Sequence, residues 1–283
     1  MNLKFLLLAV ILGSLSLFAC SDDDDYTPYT PDQTLRESFE AKYPNATRVS
    51  WEKKGIYHVA EFWLNNQETH AWFDTSGEWY MSKTELKTLS ALPVKVQDSF
   101  KKSKYSTWKI DDVDRVERPG SEVVYIIEVE QGKQEIDLYY SQEGILIKTV
   151  VDDDSNPEDH LTNTLPASVK DFITKNYPGA RIVEYEIEKG NLEVDIIDDN
   201  RGKEVVFDLK YNWQYTEYKV ARTEVPQNVM DALAASPYKD FHIDDIDCYE
   251  TKTPKTPSYY RFELESGNTE VKINIDTNGT ITK

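Results

Sequence analysis

Two acidic hexapeptides, Lys109-Ile-Asp-Asp-Val-Asp114 and His242-Ile-Asp-Asp-Ile-Asp247, lie 133 positions apart. Asp111, Asp112, Asp114, Asp244, Asp245 and Asp247 offer the hard oxygen ligands that calcium prefers. Neither run has the Asp-x-Asp-x-Asp-Gly spacing, closed by a distant Glu, that folds a loop round the ion. A structural role therefore comes first and a calcium site second. The four histidines, His58, His70, His160 and His242, form no pair at ligand spacing on one element. No Cys-x-x-Cys, Gly-x-Ser-x-Gly or glycine-rich phosphate loop occurs. With 51 Asp and Glu in the chain, a chance pair of carboxylates has no meaning without geometry. The chain reads as a non-enzyme without a cofactor. Trp63, His70, Trp72 and Tyr80 are the remaining group with a chemistry. Gathered on one sheet face, they would suit a protein hot spot or a sugar platform.

Whether they gather depends on the elements. Leu92-Pro93, Leu165-Pro166 and Val225-Pro226 each open a segment with apolar residues at helical spacing, and Leu35 and Phe39 continue the pattern in residues 32–43. Pro fits the first turn, where its missing N–H costs nothing. Tyr43-Pro44 and Tyr177-Pro178 stop two of the helices, because the residue before Pro leaves the helical region. Each helix is followed by segments rich in aromatic and β-branched residues. They are Ile56–Leu64, Gln67–Asp74 and Glu78–Glu85, then Val123–Glu130, Lys133–Tyr140 and Ile145–Val151. Asn191–Ile197, Lys203–Asp208 and Trp213–Val220 follow, and Tyr259–Glu265, Thr269–Asp276 and Thr280–Lys283 complete the set. The last turn recurs as Phe73-Asp-Thr-Ser-Gly77-Glu-Trp79, with Gly144 and Gly279 at the equivalent place in two later copies. Tyr211 replaces Gly in the third copy, so that turn is expected to differ in detail.

From helix start to turn Asp or Ser the distances are 42, 48, 42 and 50 residues, so short and long copies alternate. Pro93–Asp114 aligns with Pro226–Asp247 without gaps, with 9 of 22 residues identical. The pattern predicts an α+β protein of four helix-plus-antiparallel-sheet repeats, arranged as two tandem two-repeat modules. Module 1 spans 32–150 (repeats 32–88 and 89–150), residues 151–163 are a charged linker, and module 2 spans 164–283 (repeats 164–221 and 222–283). The hexapeptides then occupy one duplicated position, between the helix and the first strand of the long repeat, and read as a solvated acidic edge. Alternation aligned to Leu192, Val194 and Ile196 turns His58, Ala60 and Phe62 inward. Glu61, Trp63, His70, Trp72 and Tyr80 then face outward. The sheet faces not covered by helices point to solvent, where partners would bind.

The N-terminus supplies an address. A short charged start, an apolar run from Phe5 and the sequence Leu17-Phe-Ala-Cys20 describe a signal peptide over residues 1–19. Leu-Phe-Ala-Cys resembles a bacterial lipobox, with Cys20 as the acylated residue. Residues 20–31 form a tether with four adjacent aspartates, Asp22–Asp25. The run resembles the acidic signal that sends lipoproteins to the outer face of the outer membrane in Bacteroides-type bacteria. An outer-membrane lipoprotein, periplasmic or surface-exposed, is expected. Without residues 1–19 the chain has 31 Lys and Arg against 51 Asp and Glu, a net charge of −20, which phosphate backbones would repel. Nucleic acid is excluded as a partner. Cys248 is then the one thiol left, expected as a buried small hydrophobe.

The Leu-Pro helix openings, the Tyr-Pro stops and the Phe-Asp-x-x-Gly-x-Trp hairpin together resemble the PepSY-like, β-lactamase-inhibitor-like domain family. The resemblance runs from Asp32 to Lys283 and is best in the first and third repeats. It implies a helix packed on an antiparallel sheet, paired in tandem, and a non-catalytic envelope module that binds an unknown protein or glycan. A calcium- or glycan-binding surface protein supporting nutrient capture is the alternative. No residue here matches an inhibitory contact, so inhibition of a β-lactamase does not follow from the resemblance.

Overall fold

The computed structural model describes residues 29–151 and 165–282. The expected signal peptide, Cys20, most of the tether, and nearly all of the linker lie outside the described residues. The first module runs α1 (Gln33–Lys42), β1 (Thr47–Lys54), β2 (Tyr57–Leu64), β3 (Gln67–Phe73) and β4 (Trp79–Glu85). It continues with α2 (Val94–Lys102), β5 (Lys109–Glu117), β6 (Val124–Gln131), β7 (Gln134–Ser141) and β8 (Leu146–Val151). The second runs α3 (Ala167–Asn176), β9 (Arg181–Glu188), β10 (Asn191–Asp198), β11 (Arg201–Asp208) and β12 (Trp213–Lys219). It ends with α4 (Gln227–Ala234), β13 (His242–Thr253), β14 (Thr256–Ser266), β15 (Thr269–Asp276) and β16 (Ile281–Thr282). Each module is one eight-stranded antiparallel meander, so the fold is α+β in two modules.

The local chemistry explains the ends of the helices. Asp32 caps α1, its Oδ1 accepting the Leu35 N–H at 2.9 Å. Pro93, Pro166 and Pro226 sit at the N-cap, one place earlier than expected, with φ between −53° and −56°. Tyr43 and Tyr177 are C-caps of matching geometry, with φ −126° and −127°. They do more than stop a helix. The Tyr177 hydroxyl donates to Thr216 Oγ1 at 2.8 Å, and Trp213 Nε1 donates to the same oxygen at 3.0 Å. Tyr43, Ser82 and Trp79 repeat that triangle in the first module.

Every helix buries one apolar stripe on its sheet. Leu35 and Phe39 of α1 meet Ala60, Phe62, Ala71 and Phe73; Val96 and Phe100 of α2 meet Ile127, Leu138 and Tyr140. The second module repeats this with Val169 and Ile173, then Val229 and Leu233. The strands expected from sequence are present within a few residues of their expected ends. Four strands were not expected, namely β1, β5, β9 and β13, each the first after its helix. Their charged, weakly alternating sequences hide them. All four final turns share one hydrogen-bond frame, seen in Gly77 N–H to Asp74 O at 3.1 Å and Tyr211 N–H to Asp208 O at 2.8 Å. The third turn therefore does not differ: Tyr211 adopts φ +64° to keep it.

Candidate functional site

The face assignment for β2 and β3 holds, since Ala60 and Phe62 pack under α1 while Trp72 turns the other way. At Trp72 that second face is not open. Trp72 is 1% exposed, in a cluster with Tyr57, Val59, Met81, Val116 and Val124, and with Val183 and Ile197 of the second module. An exposed patch centred on Trp72 is thus ruled out, because the second module covers it. Tyr80 packs half-buried against the same cluster. His70 stacks on Trp72, 6.1 Å between centroids, and lies 3.9 Å from Glu68. Trp63 is half-buried between Arg48 and Lys87, whose charges sit 5.2 and 5.4 Å from its ring.

The hexapeptides are bulges inside strands, not a linker before them. β5 slips register against β6 between Ile110 and Val113, and β13 slips against β14 between Ile243 and Asp245. Both strands have neighbours on either side, so the acidic-edge reading fails; Asp114 and Asp247 are 4% and 8% exposed. Burial pushes each of their carboxyls up to about 6. Asp114 pairs with Lys83 at 2.8 Å, Asp111 with Lys109 at 2.7 Å, and Asp112 accepts the Val113 N–H at 2.8 Å. Asp112 also lies against Asp114, but the three do not form one group of ligand oxygens. Asp244 and Asp245 do gather with Glu263, their oxygens within 4.8 Å of one another. Lysines already reach them: Lys104 lies 3.0 Å from Asp244 and 3.3 Å from Asp245, and Lys219 lies 2.6 Å from Asp245.

Sequence reasoning missed the charged seam between the modules. Lys148 of β8 lies 2.8 Å from Asp195, 3.2 Å from Glu184 and 3.5 Å from Glu186, and Arg118 lies 2.5 Å from Glu184. Burial alone would raise the Glu184 carboxyl, but Arg118 and Lys148 outweigh it and hold the group at about 2. Arg181 bridges back to Glu122 and Glu143 at 3.3 and 3.1 Å. A Cβ on Gly202 would stand 2.4 Å from the Ile147 carbonyl oxygen, so only glycine lets β11 approach β8 this closely.

Beyond the seam, the helix-free face of the second sheet carries a different surface. Pairing sets Glu184, Asp195, Glu204 and Glu217 directly opposite one another across β9 to β12, and Tyr249 and Tyr259 extend the row. Tyr249 and Tyr259 stack at 4.6 Å, Tyr215 lies 5.6 Å from Tyr249, and Arg261 sits 4.5 Å over the Tyr249 ring. The Arg261 guanidinium also donates to the Tyr249 hydroxyl at 2.5 Å and to Asn274 at 3.2 Å. Burial, reinforced by Asp195, Glu193 and Glu217, pushes Glu204 up to about 8. Glu193 rises to about 7 for the same reason, with Glu188, Glu186 and Asp195 as its neighbours. The tyrosines belong to none of the five apolar clusters. Alternation in β11 to β14 puts these residues on one face, but the charged, bulged sequence of β13 hides it as a strand.

The chain matches the family model described as "Putative beta-lactamase-inhibitor-like, PepSY-like" over residues 56–148, 159–201 and 191–283. Among solved structures it is similar to a DUF2874 family protein from Bacteroides ovatus at 31% identity. That match covers 46% of this chain and 97% of the other, with a TM-score of 0.44. A BLIP-like protein from Bacteroides fragilis is similar at 36% identity, over 48% of this chain and 97% of that one, with a TM-score of 0.43. A protein from Bacteroides eggerthii described under "putative periplasmic proteins" is 23% identical over 44% and 90%, with a TM-score of 0.42. No curated protein matches.

Proposed function

The chain belongs to the PepSY-like, β-lactamase-inhibitor-like family, and from that premise we propose a non-catalytic envelope lipoprotein that binds a macromolecule through the helix-free face of its second sheet. Four helix-plus-sheet repeats, bounded as the repeat spacing sets them, build two modules, with Cys20 as the lipid anchor to the outer membrane. One observation supports the reading above others. The centre of the equivalent face of the first sheet, at Trp72, Met81, Val116 and Val124, is buried against the second module, whereas Tyr215, Glu204, Glu217, Tyr259 and Arg261 remain half-exposed with no apolar cluster over them. Site-specific photo-crosslinking in the native cells tests it. A crosslinker at Tyr215 is expected to give a discrete adduct, and one at Lys170 on the exposed side of α3 none. Equal labelling from both sites, or from neither, overturns the reading.

A calcium- or glycan-binding surface protein is the second reading, and the Asp244, Asp245 and Glu263 grouping favours its calcium form. Lys104 and Lys219 already neutralise two of those carboxylates, which weighs against an ion. A calcium-specific rise in Tm, absent with magnesium or EDTA, would move the assignment to that cluster.

A further inference from the structure

Glu184, Asp195, Glu204 and Glu217 stand in one cross-strand row, although like charges directly opposite one another destabilise a sheet. The first two are matched by cations, and both cations come from the other module: Arg118 on Glu184, and Lys148 on Glu184 and Asp195. The seam therefore displays how this face is engaged, by basic side chains arriving from outside the sheet. Row and face continue past the seam. Among the described residues Glu193 and Glu204 have no ion pair, and Tyr215 is the diagonal neighbour of Glu204 across β11 and β12.

Duplication sharpens the contrast. Offsets and strand pairing place His70, Met81, Lys83, Val116, Val124 and Ile126 of the first sheet where the second has Glu204, Tyr215, Glu217, Tyr249, Tyr259 and Arg261. Where a module covers the face, the set is largely apolar. On the second sheet Arg261 already lies over the buried Tyr249 ring, and the accessible remainder, Glu204, Tyr215, Glu217 and Tyr259, is aromatic and acidic, the composition that receives a lysine or arginine. Charge complementarity and continuity with the intermodule interface both point to one occupant.

Resting on the binding reading above, we propose that this face docks a basic peptide segment of a partner protein. A lysine or arginine of that segment runs its stem along Tyr215 and Tyr259 and delivers its charge to Glu193, Glu204 and Glu217. It extends outward the row that Lys148 and Arg118 already occupy.

The test is calorimetric titration of the full mature chain with a dodecapeptide of alternating lysine and serine, beside the same peptide with every lysine acetylated. The lysine peptide is expected to bind at physiological salt and the acetylated one at least tenfold more weakly. Glu204→Gln and Tyr215→Ala should each weaken binding threefold or more, while Glu135→Gln, at an exposed site on β7, should not. Binding near pH 7.5 should also release protons, because a cation beside Glu204 favours its ionised form against Asp195, Glu193 and Glu217 on the neighbouring strands and Lys148 from β8. No binding, equal binding of both peptides, or equal loss in Glu135→Gln overturns the proposal, as does full competition by an equivalent charge of spermine. A crosslink at Tyr215 without peptide binding would sink this inference and leave the binding reading standing.

Discussion

At the scale of residues, the acidic face has a cost that pH should reveal. Glu204, Glu193 and Asp247 hold protons in the folded chain at about 8, 7 and 6, mainly through burial. Unfolded carboxyls titrate near 4, so across the window from about pH 4.5 to 8 the native state binds more protons than the unfolded one. Stability from these groups therefore falls as pH rises through that window. Chemical denaturation at pH 5.5 and 8 should show it, and Glu204→Gln should flatten the difference; an unchanged slope would remove Glu204 as a source. Tyr211 offers a second single-residue effect. Its φ of +64° is unfavourable for a side chain bearing Cβ, by roughly 1 kcal/mol. Tyr211→Gly should raise Tm by a few degrees or leave it level, and a clear drop would mean that the exposed ring stabilises the turn.

At the scale of elements, the paired hexapeptides answer to the sheet. At the hexapeptides, one extra residue in β5 and one in β13 bends each strand at the same place, and the aspartates lie in and beside that bulge. Legibility differed sharply between elements. The helices and the strands after the first of each set follow from periodicity, because one face of each is apolar. β5 and β13 broke that pattern, since a bulge shifts alternation and Asp114 and Asp247 are buried carboxylates that a pattern rule assigns to water. The turns carry their own constraint. A Cβ on Gly144 would lie 2.3 Å from the Lys95 carbonyl oxygen in α2. Gly144→Ala should therefore lower Tm well beyond its positive-φ penalty, whereas Gly132→Ala, with open space around it, should cost only the latter. Equal losses would show that the close approach to α2 is not what matters.

At the scale of the whole molecule, the two modules are joined by an apolar cluster and a charged seam. Trp72→Ala should cost about 3–5 kcal/mol, as for other large core truncations, and Trp72→Phe far less, since the indole N–H has no acceptor among the described residues. Lys148→Ala leaves Asp195 and Glu184 facing each other with only Arg118 between them and water. It should loosen the docking of the modules, read as faster proteolysis between residues 151 and 165 and a larger radius of gyration in solution. No change in either would assign the interface to the apolar cluster alone.

By itself the sequence determined the class of fold, the doubling and the alternation of helix and sheet, because each rests on local spacing and apolar periodicity that survive in any arrangement of the modules. It also placed Trp72 and His70 on the correct side of β3. What it could not decide was which helix-free face stays accessible. Alternation marks a residue as off the helix side, and says nothing of what arrives from more than a hundred residues away. Only tertiary packing buried Trp72 beneath Val183 and Ile197, gave Lys148 its three carboxylate neighbours, and left Tyr215, Glu204 and Tyr259 half-exposed. Burial and ion pairing between modules depend on distances in space, and those are fixed when the two sheets dock.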